Sequence, residues 1–417
     1  MSSSPVPTDL DAIRRLDRDD PLAAFRAEFE LPADIVYLDG NSLGALPKAA
    51  VEIARRTVEQ QWSQGLVTSW IEAGWYELPR RLGSKIAALL GAEPDEVVMT
   101  DATGINLFKV VAAALSLRPE RQVIVMEGSN FPTNNYTVQG LIRLLGDRHS
   151  IRFVEADGIA DAITDDVAVV CLTHVHYKTG HVLDMAAITA RAHAAGALAV
   201  WDVCHSAGAL PVALNDSDAD FAVGCTYKFL NGGPGAPAFL FAARRHHGQA
   251  LQPLTGWWSH AAPFGFERDY RPASDIGQML SGTQPVLSMA VAEAGIDIAA
   301  RAPISELREK SSRLGDLFLT LVEKSCAAHG FSIACPRDAE FRGSQVSLSH
   351  PDAYAIMRAL IDHGVIGDFR APDVLRFGLT PLYLRYEDVY QAVKVLQEVM
   401  DSQAWRRPEY AQRLAVT

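Results

Sequence analysis

Short apolar runs at residues 97–100, 123–126, 151–154, 167–172, 197–201 and 221–224 alternate, from about residue 48 onward, with stretches of helical pattern. Runs this short, bounded by turn residues, read as buried strands. Strands that alternate with helices imply a parallel sheet covered on both faces, an α/β architecture. At 417 residues the chain also exceeds the roughly 250–300 at which a single core stops growing. Past about residue 300 the texture changes. A long helix is expected over 303–329, a strand at 345–348, a helix near 352–363, a strand at 374–378 and a last amphipathic helix carrying Val389, Val393, Leu396 and Met400. The expected organisation is a large mostly parallel-sheet domain over 51–300 and a smaller α+β domain over 301–417. An N-terminal arm, 1–50, packs with the smaller one. Within that arm the first dozen residues read as frayed and 21–30 as a short helix.

Composition narrows the function classes. Hydrophobic residues make up 48% and charged residues 21%, ordinary for a globular chain. The net charge of −12 disfavours nucleic acid as a partner, because phosphate contacts need clustered Lys and Arg. Five cysteines (Cys171, Cys204, Cys225, Cys326 and Cys335) include no C-x-x-C spacing, and three lie in or beside apolar strands. Residues 1–7 lack a basic region followed by an apolar stretch, and no apolar run approaches the ~18–20 residues of a membrane span. The expectation is a reduced, cytoplasmic protein with no membrane partner.

The most specific chemistry lies at the ends of two strands. Asp202 follows 197–201, and Lys228 follows 221–224 inside a segment that continues Asn231-Gly232-Gly233-Pro234-Gly235. Ligands of open α/β sheets gather where such strands end. An amine and a carboxylate there suit pyridoxal 5′-phosphate (PLP): the lysine holds it as a Schiff base, and the carboxylate keeps the pyridine nitrogen protonated. Thr100-Asp101-Ala102-Thr103-Gly104 joins a strand to a helix, whose free N–H groups fit a phosphate, although Thr103 is equally readable as a simple cap. No Gly-Lys-Ser/Thr follows, and no strand leads into G-x-G-x-x-G. Phe131, after the 123–126 strand, offers a ring to stack on a flat heterocycle or to pack in a core. His174, His176, His181 and His205 have no interleaved acidic residue, which disfavours a metal site. The Trp257-Trp258 doublet fits an interface, a flat substrate or a core. Arg376, on an apolar strand, is read either as a carboxylate clamp or as half of a structural ion pair.

Several blocks resemble the kynureninases, particularly the bacterial type, over roughly residues 35–390. They are Tyr37-Leu38-Asp39-Gly40-Asn41-Ser42-Leu43-Gly44, Asn130-Phe131-Pro132-Thr133, Leu172-Thr173-His174-Val175, Trp201-Asp202 with His205, Cys225-Thr226-Tyr227-Lys228, and Arg376-Phe377-Gly378 with Thr380-Pro381. The resemblance implies a PLP-dependent, transferase-like enzyme of fold type I. It also implies a homodimer with composite active sites that cleaves L-kynurenine to anthranilate and L-alanine in tryptophan degradation, with 3-hydroxykynurenine as a further substrate. Carried onto this chain, Lys228 is the Schiff-base lysine, Asp202 the pyridine partner, His205 a neighbour of the ring and Phe131 its stacking residue. Ala102 and Thr103 bind phosphate with Tyr227 and Trp257; Pro132, Thr133, Asn134, Thr173 and Thr283 complete the cofactor contacts. Arg376 binds the substrate α-carboxylate, Asn41, Ser42 and Trp258 lie near the substrate, and Tyr227 assists a proton transfer. Two positions depart from the family pattern: Asn134 stands where aspartate is usual, and His176 where an amide is common. The rivals are a cysteine desulfurase or similar PLP enzyme, which commonly has His before the lysine where this chain has Tyr227, and a catalytically silent PLP-fold sensor.

Overall fold

The computed structural model describes residue 6 and residues 8–414, so most of the 1–7 segment weighed above lies outside the described residues. Its centre is a seven-stranded sheet. From one edge to the other the strands are Val97–Met99, Phe239–Ala242, Phe221–Gly224, Leu198–Asp202, Val167–Thr173, Val123–Glu127 and Ser150–Val154. Six of these match the apolar runs of the sequence. Phe239–Ala242 was not anticipated; it runs antiparallel to both of its neighbours, between Val97–Met99 and Phe221–Gly224. The remaining pairings are parallel. Apolar side chains on the two faces feed two separate cores, one around Trp201, Phe239 and Phe241, the other around Leu107, Val110 and Phe221. That double coverage explains why the strands read as continuous apolar runs rather than alternating ones.

A second sheet of four strands contains Ser332–Ile333, Gln345–Ser349, Val374–Gly378 and Asp368–Arg370, packed by the helices Ile304–Ser325 and Ala353–Asp362, with Tyr386–Asp401 lying against Ile304–Ser325. Its core also takes Ile13, Leu22, Phe29 and Leu38. The N-terminal segment is tied to it by a parallel pairing of Val36–Tyr37 with Val365–Ile366. Two expectations need correcting here. The first dozen residues are not frayed throughout: Leu10–Arg18 is an α-helix, with the Asp9 side chain accepting from Ala12 N, a cap that satisfies one of the free N–H groups of the first turn. Residues 21–30 hold only a 3-10 helix, Ala23–Glu28, followed by the two-residue strand Phe29–Glu30.

The N-terminal segment also reaches the large sheet. Gly44 N donates to the carbonyl of Tyr227 at 2.7 Å. A Cβ on Gly44 would stand 2.4 Å from the Lys228 carbonyl oxygen, so only glycine permits this approach.

Candidate active site

Parallel register brings the chemistry together. Thr173 pairs with Asp202 and Asp202 with Val223, so three adjacent strands end at one level. Four residues beyond Gly224 the chain reaches Lys228. Beside it lies a cavity of about 590 Å³ whose lining includes Asn41, Ser42, Thr103, Phe131, Asp202 and Lys228. Ala102, Thr133, Asn134, Thr173, His205, Tyr227 and Arg376 line the same cavity. Residues up to 335 positions apart in sequence, from Asn41 to Arg376, thus face one space.

Asp202 is fixed from two sides. Its Oδ1 accepts from Cys204 N and its Oδ2 from Asn134 Nδ2, both at 2.8 Å. Asn134 stands in the first turn of the helix Pro132–Leu144, where Pro132 sets the helical φ at N1 without lining the cavity. Thr173 Oγ1 donates to Asn130 Oδ1 at 2.6 Å, which braces the neighbouring strand end. Lys228 Nζ lies 3.3 Å from His205 Nε2. Burial, with the Lys228 charge beside it, holds the imidazole of His205 well below its usual range, so it is neutral. Cys225 beside it, together with burial, pushes the Tyr227 phenol up, so that group keeps its proton.

The phosphate turn has an unusual construction. Asp101 adopts a left-handed backbone, φ +46°, which is uncommon for a residue other than glycine. It is held there by Lys109 Nζ and Thr100 Oγ1 on its carboxylate, and by Ala238 N on its carbonyl. The helix Thr103–Ser116 then starts at Ala102 with no side-chain cap. Its first N–H groups, at the positive end of the helix dipole, are left for a ligand. Lys109, fully buried, has a depressed pKa because of burial, and Asp101 opposes that shift.

Besides Pro132, three expected site residues fall outside this cavity. Trp258 is a core residue, only 4% exposed, stacked on Tyr76 at 5.4 Å and on Trp257 at 4.9 Å. Its ring is taken up by these apolar neighbours within the chain. Trp257 borders a separate hollow with His260, Phe264 and Tyr270, and Thr283 is exposed on the surface. Arg376 does line the cavity, but Asp368 already fills its fork, accepting from Nε at 2.8 Å and from Nη2; Nη1 donates to the Tyr177 carbonyl. The ion-pair reading of Arg376 is thus observed, and the residue also lines the cavity where a carboxylate clamp was expected. Arg370 was missed, and Asp101 and Tyr177, though inside quoted motifs, were given no role of their own; all three line the cavity. Asp39 and Asp368 behind them were missed as well. The apolar run around Arg376 could have flagged Arg370, six residues earlier, as a second cation needing a partner.

Comparison with known proteins now decides the family. A kynureninase of Burkholderia mallei is 50% identical over 408 residues, 96% of this chain and 98% of the relative. The chain belongs to the kynureninase family. A kynureninase of Pseudomonas fluorescens is 48% identical over 407 residues, again 96% and 98% of the two chains. The family model for the kynureninase C-terminal domain matches residues 307–396. Among solved structures, the cysteine desulfurase CsdA from Escherichia coli superposes with a TM-score of 0.72 at 21% identity, covering 91% of this chain and 99% of its own. A C-DES mutant with glycine covalently linked to its PLP cofactor gives 0.77 at 17%, covering 89% and 99%. At those identities the likeness speaks for the fold alone, the fold type I architecture expected of a PLP enzyme.

The cavity of this kynureninase-family chain fits PLP on its own terms. A carboxylate held by two donors, a lysine amine, an uncapped helix N-terminus and a ring, Phe131, left 45% exposed over the cavity are four separate features. Together they match a basic ring nitrogen, an aldehyde, a phosphate and a flat face.

Proposed function

We propose that this chain is a PLP-dependent hydrolase that cleaves L-kynurenine with water to anthranilate and L-alanine. The observation that carries the reading is the convergence of Lys228, Asp202 and Arg376 on one cavity in a chain of this family. Lys228 would hold the cofactor aldehyde, Asp202 the ring nitrogen, and the first turn at Ala102 and Thr103 the phosphate. When bound, PLP supplies an electron sink for bonds at the carbon that bears the substrate amine.

The chain's own groups divide the remaining tasks. Lys228 is the amine in reach of the cavity and the base that carries a proton to and from the substrate carbon. His205, neutral, adds no competing charge beside it. Tyr227, holding its proton, is fitted to donate one rather than to take one. Asn41 lies buried, with Nδ2 on Gln345 Oε1 at 3.2 Å, and with Ser42 closes the cavity from the N-terminal segment. Trp257 and Thr283 lie outside their own chain's cavity, so their expected cofactor contacts belong in the partner's cavity of a homodimer. Among the described residues no helix is long and apolar enough to cross a membrane; a cytoplasmic, dimeric enzyme is the proposed setting.

The test is product analysis with L-kynurenine and PLP-loaded protein, scoring anthranilate and alanine together. Equal amounts of the two are expected, and Lys228→Ala should reduce turnover by at least about a thousandfold, the scale lost with a nucleophile or base. A yellow protein that binds kynurenine tightly without making either product is a sensor, and the hydrolase reading falls.

A further inference from the structure

A buried lysine stands behind the phosphate turn, and stability does not account for it. Lys109 belongs to the helix Thr103–Ser116, and its side chain is 0% exposed. Helical side chains lean toward the N-terminus, so its stem runs back along the helix and delivers Nζ to the helix start. There it donates to Asp101 Oδ2 and, at 2.8 Å, to the Met279 carbonyl. The placement is unfavourable twice over. A cation near the positive end of a helix dipole is repelled, and replacing a buried ion pair by apolar groups is often neutral or stabilising. Its neighbours on the helix, Leu107, Val110 and Val111, are core residues, so local packing asks for no charge.

The charge is explained by Asp101. That carboxylate lines the cavity beside Ala102, Thr103 and Gly104, with its side chain 27% exposed. The cationic side chains that line the same cavity, Lys228, Arg370 and Arg376, come from other segments. Left alone, Asp101 would set a negative charge against an anion at the first-turn N–H groups. Nor is it free to turn away. Its φ of +46°, its carboxylate on Thr100 Oγ1, its carbonyl on Ala238 N and its N–H on Gln284 Oε1 at 3.4 Å are all parts of the turn.

We propose that Lys109 is a positioning residue for the cofactor phosphate: its ammonium neutralises Asp101 and pins it in the left-handed turn, so that the helix N-terminus meets the phosphate without a repelling charge. The inference rests on PLP as the ligand of this cavity. Lys109 does not line the cavity itself, so it acts through Asp101.

The experiment dialyses the full chain against two ligands, PLP and pyridoxal, the second carrying the same ring and aldehyde without the phosphate. Lys109→Met keeps much of the side chain's length and removes its charge. It should raise the Kd for PLP by at least about 30-fold, because an unpaired carboxylate then faces the phosphate. The Kd for pyridoxal should move by less than about threefold, since its ring and aldehyde contacts are untouched. Adding Asp101→Asn, whose amide tolerates a left-handed backbone and carries no charge, should bring the PLP Kd back to within about fivefold of wild type. Equal losses for PLP and pyridoxal in Lys109→Met would make Lys109 merely structural and overturn the proposal. So would an unchanged PLP Kd in that variant, or a double variant as weak as the single one. If Lys109→Met fails to fold, Asp101→Asn decides alone. It should bind PLP at least as tightly as wild type, and a loss of about tenfold or more that spares pyridoxal would show the carboxylate aiding the phosphate, against the proposal. A wild-type chain that binds inorganic phosphate but takes up no PLP would sink the cofactor reading, and the same variants titrated with phosphate would still decide Lys109.

Discussion

Asn134 carries more of the cofactor site than its neutral amide suggests. Its Nδ2 donates to Asp202 Oδ2, while Cys204 N holds the other oxygen. The two donors fix the carboxylate in place, and an aspartate at 134 would bring a second negative charge against it in place of the amide donor. Asn134→Ala should therefore weaken PLP binding by about 5- to 30-fold, corresponding to the 1–2 kcal/mol lost with such a hydrogen bond. Equilibrium dialysis of the apoprotein against PLP measures it, and an unchanged Kd would mean Asp202 needs no help from Asn134. Lys228, Asp202, Thr103 and Asn134 were legible in the sequence because each follows a recognisable strand, and strand ends face one edge of a parallel sheet. Asp101 was not. Its left-handed backbone depends on Lys109, Thr100 and Ala238, and no local pattern announces such a bracing. The burial of Trp258 was hidden for the opposite reason: a rare doublet attracts a functional reading, but a large ring is readily absorbed by a core.

Between elements, the decisive object is the meeting of Asp368–Arg370 with Val374–Gly378. Antiparallel register sets Asp368 opposite Arg376, which makes their ion pair a cross-strand pair. Asp39, just past the strand Val36–Tyr37, comes in from the N-terminal segment. The sequence disclosed both strands of the tail near Arg376 and Gln345 but could not disclose register, and register alone decides which charges meet. Around Asp39 stand Asp368, Arg376, Arg370 and Tyr37. Its folded pKa, about 8, lies above the usual 3.8. The folded state thus binds the extra proton, and this group's contribution to stability is lost as pH climbs from near 4 through 8. Function follows the same sign, since an ionised Asp39 adds a negative charge beside Arg370 and Arg376, which line the cavity. KM for kynurenine should rise above about pH 8, and Asp39→Asn should flatten that arm of the profile relative to wild type. An Asp39→Asn profile superimposable on wild type would assign the alkaline arm to another group, such as the substrate amine.

At the scale of the molecule, an apolar surface among the described residues lies exposed. Residues 57–72 form a π-helix, a 3-10 turn and a short α-helix, and they leave Trp62, Leu66, Val67 and Ile71 in solvent, the last two 76% and 79% exposed. Trp70 packs edge-on against Trp258, and Tyr76 against Phe264, so this surface continues into the hollow bordered by Trp257. A contiguous apolar patch of this kind marks an association surface, and closed twofold pairing is the commonest way to cover one. The same face carries Trp257, which borders a hollow separate from its own chain's cavity. Replacing Val67 and Ile71 together by Glu would bury charge on both sides of a twofold contact, a cost of several kcal/mol per unpaired ion. Dimer dissociation should strengthen by at least about 100-fold in concentration terms, visible as a monomer in sedimentation at micromolar protein. Cofactor affinity should fall with it even though Lys228, Asp202 and Asn134 are untouched, because the contacts expected of Trp257 and Thr283 would leave with the partner. A double variant that sediments as a monomer yet keeps wild-type PLP affinity would make each cavity self-sufficient. A wild-type protein that is itself an active monomer would leave this apolar surface to some other purpose.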